Sequence, residues 1–138
     1  MSRLQRFATY GALGWCAEVV YTGVLGYLGN RDRRLMASTS LWMFPVYGLI
    51  QPLYEPLHDA MRERVPLPLR AMAYGGGFMA AEYATGFFLR RTLGRAPWDY
   101  SASRFHVNGL IRLDMLPIWA GFGLALEQVH DRLTTTPV

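Results

Sequence analysis

The chain has 138 residues, room for one domain, and is 51% hydrophobic and 14% aromatic but only 17% charged, short of the roughly 25% typical of soluble domains. Its net charge of +4 comes from 14 basic residues, all of them arginine. These bracket apolar stretches and do not form a basic stripe, which argues against nucleic acid as a partner. The single cysteine, Cys16, rules out an intrachain disulfide and reads as a small buried hydrophobe.

Arg3 and Arg6 precede the first apolar run and imitate a signal peptide. That run is too long for one, holds Glu18 and lacks a small-x-small cleavage site, so it reads as a retained helix over residues 7–28. Twenty-two helical residues rise about 33 Å, enough for a hydrocarbon core of about 30 Å. A second span over 41–57 is interrupted by Pro45, Pro52 and Pro56, which predicts a kinked helix. The third covers 69–89 with Glu82 inside it and Arg70 at its edge; the fourth covers 110–126 and continues toward His130 as a wetter helix. No charged face runs along 71–89, unlike a soluble amphipathic helix. The expected fold is therefore all-α: an integral membrane, multi-pass four-helix bundle in a single domain. Arginines divide six to seven between the two sides, so the positive-inside rule leaves orientation open.

Two glutamates stand out against this background. At 100° per residue Gly11, Gly14, Glu18, Thr22, Gly26 and Gly29 fall near one line, and Ala71, Gly75, Glu82 and Gly86 near another. Small residues admit close backbone approach and polar ones bond across it, so both carboxylates are expected to face protein. At membrane depth an acid costs roughly 2.5–3.5 kcal/mol and marks a candidate site. Arg112, in line with Trp119, Gly123, Glu127 and His130, is the expected partner in an intramembrane polar site of Glu18, Glu82 and Arg112. Asp114, two residues on, would face the other side of a helix. Trp98, Asp99, Tyr100 and Ser101, after Pro97, read as an interfacial turn with aromatics at headgroup level and Asp99 or Ser101 opening a short helix.

Enzyme signatures are missing. His58, His106 and His130 lack the i, i+4 spacing of a helical metal pair, and there is no CxxC, Walker loop or Gly-x-Ser-x-Gly. No metal, cofactor or catalytic residue is expected on that basis.

Several blocks carry a family resemblance: Gly14-Trp15-x-x-Glu18-x-x-Tyr21, Thr39-Ser40-Leu41-Trp42-Met43-x-Pro45-x-Tyr47-Gly48, Glu82-Tyr83-x-Thr85-Gly86, Pro97-Trp98-Asp99-Tyr100-Ser101 and Asn108-Gly109-Leu110-Ile111-Arg112-Leu113-Asp114. In this order, from about Tyr10 to Glu127, the chain resembles the four-pass transmembrane protein 229 family. More loosely it resembles the bacterial group labelled type IV ABC-transporter membrane proteins. The resemblance implies four membrane helices, lends weight to Glu18, Glu82, Trp98, Asp99, Tyr100 and Arg112, and would leave any ATPase to a separate subunit. The expected function is a transport or permease-like component, with membrane lipid and either further copies of itself or another membrane subunit as partners. The alternatives are a structural or lipid-binding assembly subunit and a lipid-acting enzyme using Glu18 or Glu82 as general base.

Overall fold

The computed structural model describes residues 1–135, and the C-terminal tail at 136–138 lies outside them. Helix α1 spans Arg3–Asn30. It starts at a capping box: the Gln5 amide donates to Ser2 Oγ at 3.1 Å and the Ser2 amide to Gln5 Oε1 at 2.7 Å. It ends where Arg31 turns left-handed (φ 58°) and donates its N–H to the Tyr27 carbonyl.

One face of α1 receives the chain that follows. A strap at 35–40 crosses the small-residue line, where Thr22 Oγ1 exchanges hydrogen bonds with the Ser38 carbonyl and amide at 3.2 and 3.3 Å. Trp15 Nε1 donates to the Ser40 carbonyl at 3.0 Å. Helix α2 (Met43–Gly48) then seats Tyr47 over Gly14 so closely that a Cβ there would lie 2.2 Å from the ring. Trp15 and Phe44 meet edge-to-face at 5.9 Å.

After α2 the helix widens into a π-helical turn, Ile50–Tyr54, before α3 resumes at Glu55–Met61. Pro52 sits inside that turn; it has no N–H to give the carbonyl four residues back, and the wider turn accommodates the missing bond. The chain divides into two compact units, Met1–Leu53 and Tyr54–Val138.

In the second unit α4 (Leu67–Leu93) begins with proline in its first turn and stops at Gly94, whose φ of 79° suits only glycine there. A loop and a short antiparallel ribbon, β1 (His106–Val107) with β2 (Ile111–Arg112), lead through a 3₁₀ turn, Leu113–Met115, into α5 (Leu116–Thr135). Helices α4 and α5 pack through glycine: Tyr74, 1% exposed, lies where a Gly123 Cβ would be, 2.3 Å from its own Cβ, and Gly75 faces Leu116 and Ala120. Tyr54 closes the same core by donating to the Gly123 carbonyl at 2.7 Å.

Two expectations are corrected. Among the described residues no helix is long and apolar enough to cross a membrane, which overturns the four-pass integral membrane bundle and the integral-membrane location. Length is not what fails in α1, whose 28 residues rise about 42 Å. Five glycines, three tyrosines, Trp15, two threonines and Glu18 dilute its apolarity. The second span is broken into α2, the π turn and α3, each of seven residues or fewer. The fourth begins six residues late, at Leu116, and its second half is charged. The ribbon also adds β structure to an expectation of helices alone.

Adjacent packing gives a test of opposite signs. Gly76 of α4 has open space around it, so Gly76→Ala should stabilise by up to about 1 kcal/mol through helix propensity. Gly123→Ala should instead lose about 1–3 kcal/mol to overpacking against Tyr74. Urea denaturation of the two variants reads both.

Candidate functional site

The two glutamates singled out by spacing lie in different units. In the first unit Glu18 is half-buried, and its Oε1 accepts from Thr39 Oγ1 of the strap at 3.0 Å. In the second, Glu82 of α4 is held at both oxygens: Tyr100 Oη donates to Oε1 at 2.8 Å and Trp119 Nε1 of α5 to Oε2 at 3.2 Å. Trp119 is fixed in turn by stacking on Phe78, with centroids 5.3 Å apart.

Arg112 lies on β2, and the 3₁₀ turn after it brings Asp114 round to the same side. The guanidinium forms a two-point pair with that carboxylate, Nη2 to Oδ2 at 2.6 Å and Nε to Oδ1 at 3.2 Å. The helical spacing that would have set the two residues on opposite faces does not apply to extended backbone.

The turn at 98–101 is used inside the fold. Trp98 donates to the Leu110 carbonyl at 2.9 Å and covers Gly86, while Tyr100 reaches Glu82. Asp99 accepts from the amide and hydroxyl of Ser101, so the segment is an Asx-type turn and opens no helix. Gly109 (φ 70°) packs on this turn, where a Cβ would lie 2.7 Å from Ser101 Oγ. Its carbonyl accepts from the Tyr100 amide at 2.8 Å.

The densest chemistry is where α3, α4 and α5 meet. Arg70 of α4 and Glu127 of α5, 7% and 3% exposed, form a bidentate pair, Nε to Oε1 at 2.7 Å and Nη2 to Oε2 at 3.1 Å. Tyr74 Oη donates to the same Oε1 at 2.9 Å, and Arg70 Nη1 is spent on the Val65 carbonyl at 2.8 Å. Burial alone would raise the Glu127 carboxyl. The hydrogen bonds from Arg70 and Tyr74 and the charges of Arg62 and Arg70 outweigh it, and the carboxyl is held below its ordinary value. Burial, then the neighbouring Glu127, pushes the Tyr74 phenol up to about 12.

Next along α3 and α5, Asp59 Oδ1 lies 3.0 Å from His58 Nδ1 and 3.1 Å from His130 Nε2, and the two rings meet edge-to-face at 4.4 Å. The hydrogen bond from His58, opposed by partial burial and joined by His130, holds the Asp59 carboxyl low. Glu55 Oε1 stands 3.5 Å from His130 Nδ1, and Asp131 Oδ1 3.7 Å from His58 Nε2. His58, Asp59 and His130 are the described residues that bring three metal-type donors together.

Spacing along a single helix could not find this cluster, because its histidines come from two helices. One signal was available. The line Trp119, Gly123, Glu127 and His130 on α5 carries two titratable groups on an otherwise packed face, and such groups demand partners from neighbouring helices. Arg70, read as the edge of a span, is the buried cation that answers one of them.

The pair makes stability pH-dependent with a definite sign. A carboxyl held low in the native state contributes stability above its unfolded value of about 4.3, and that contribution is lost as pH falls through the native value. Glu127→Gln should cost about 3–5 kcal/mol at neutral pH, since Arg70 is left without its anion. The variant should also show a flatter fall in stability on acidification, measured by urea midpoints from about pH 6 to about pH 3.

No solved structure matches the chain. Residues 5–137, nearly all of it, match the family described as "Putative ABC-transporter type IV". The chain belongs to this ABC-transporter-related family.

Proposed function

We propose that the chain is a non-hydrolysing component of an ABC-transporter-related assembly and that it docks on a neighbouring subunit through the outer face of α1. Family membership supports the transport setting. The sequence has no Walker loop to cradle a nucleotide phosphate, so the reading assigns hydrolysis to a different chain.

The observation that carries the docking is the two-sidedness of α1. From Gly11 to Gly26 its small and polar line is met by the strap and α2. On the opposite side Leu13, Val20, Val24 and Leu28 fall within about 80° of one another, and each is 47–65% exposed. A contiguous apolar stripe of this kind marks an interaction surface. It holds no charge, as the buried centre of a protein interface requires.

The test is purification of the tagged full chain from its own cells under native conditions. Co-elution at fixed stoichiometry with an ATP-hydrolysing subunit is the expected result. Val20→Glu with Leu28→Glu should weaken that association at least tenfold while far-UV circular dichroism stays unchanged, because each substitution buries an unpaired charge. A chain that elutes alone, associates only with itself, or keeps its partner despite both glutamates would overturn the reading.

A further inference from the structure

We propose that His58, Asp59 and His130 form a binding site for a first-row transition-metal dication of the Zn²⁺ class, with one coordination position left open. The inference stands apart from the transport reading, because metal affinity and subunit docking involve different units of the chain.

Donor chemistry comes first. Two imidazoles and a carboxylate suit Zn²⁺ and its neighbours, whereas Mg²⁺ and Ca²⁺ prefer all-oxygen shells. One ligand atom from each residue lies within 4.8 Å of the others. Zinc bonds of 2.0–2.1 Å at tetrahedral angles need donors about 3.3–3.4 Å apart. Asp59 Oδ1 stands at 3.0 and 3.1 Å from the two ring nitrogens, so on those two edges an ion needs the donors to part by only a few tenths of an ångström, and the third edge, between the nitrogens, is within 4.8 Å.

The outer nitrogens supply the second observation. A metal-bound histidine donates its other N–H to a carboxylate, which fixes tautomer and ring angle. Here His130 turns Nδ1 to Glu55 Oε1 at 3.5 Å and His58 turns Nε2 to Asp131 Oδ1 at 3.7 Å. His58 Nε2 is buried and without a hydrogen-bond partner, and its residue is 3% exposed. A metal on Nδ1 places the proton on Nε2, facing Asp131, and closing by about half an ångström makes the missing bond.

Exposure sets the open side. The His58 and His130 side chains are 4% and 6% exposed and that of Asp59 is 66%, so the ion would be gripped from within and reached from solvent past Asp59. Three protein ligands leave the fourth position to water or another small donor, as in reactive and not purely structural zinc sites.

The experiment uses the full chain, tag removed and treated with chelator. Zn²⁺ is titrated by calorimetry and Co²⁺ by its visible absorption. One Zn²⁺ per chain, with a higher thermal midpoint and no response to Mg²⁺ or Ca²⁺, is the expected result. Asp59→Ala, at an exposed position that keeps the fold, should weaken Zn²⁺ at least tenfold, as should the supporting change Glu55→Gln. Cys16→Ser and His106→Gln should change nothing. No saturable binding up to about 1 mM, a regime of negligible affinity, would mean that hydrogen bonds alone hold the cluster. That result, or unaltered affinity in Asp59→Ala, would overturn the site.

Discussion

The buried ion pair between Arg70 and Glu127 is the contact on which the second unit turns. Taking two charges out of water costs several kcal/mol per ion, and attraction alone seldom repays it. Here repayment comes from completeness: both carboxylate oxygens meet the guanidinium, Tyr74 adds a donor, and the remaining guanidinium nitrogen finds the Val65 carbonyl. Such a pair tolerates one sliding position of α4 on α5. That position puts Tyr74 over Gly123 and Leu116 against Gly75, and it leaves His130, less than one turn beyond Glu127, facing α3. Net stability from the pair is modest, but the register it enforces positions every other group of the cluster.

In the first unit the same task falls to steric fit. Helix α2 lies on α1 because Gly11 and Gly14 leave no side chain in the way, the strap at 35–40 because Gly23 does the same, and Thr22 and Glu18 then pin the strap by hydrogen bonds. The Glu18 carboxylate meets a hydroxyl, a weaker arrangement than an ion pair but one that a half-buried site can sustain.

Much of this was legible in the sequence. The small-residue lines on α1 and α4 could be read from spacing, as could the interruption at Pro52. What the pattern could not resolve was apolarity with aromatic and glycine content. Tyr10, Trp15 and Gly11 lengthen an apolar stretch, yet Tyr10 and Gly11 are buried packing residues, Trp15 is half-buried, and none carries the apolarity that a bilayer demands of α1. The position of Arg112 is hidden for a different reason: helical angles do not hold through 111–115, where the backbone is a strand and a 3₁₀ turn. Cross-helix meetings such as His58 with His130, 72 residues apart, are set by how α3 meets α5, and no local spacing encodes them.

A continuous path of charges joins the ion pair to the histidine cluster. Arg62 reaches Glu127 at 3.5 Å and Asp131 at 3.4 Å, and Asp131 in turn faces His58 at 3.7 Å. Continuity is not coupling. The connecting side chains of Arg62 and Asp131 are 36% and 41% exposed, against 4–8% for Arg70, Glu127 and His58. Exposed pairs at such distances contribute about 0–1 kcal/mol and are screened by salt. The Arg70 clamp and the histidine cluster are therefore mechanically joined through α5 but electrostatically almost independent. A change of charge at Asp59 can alter the site around it while the register of α4 on α5 stays as it is.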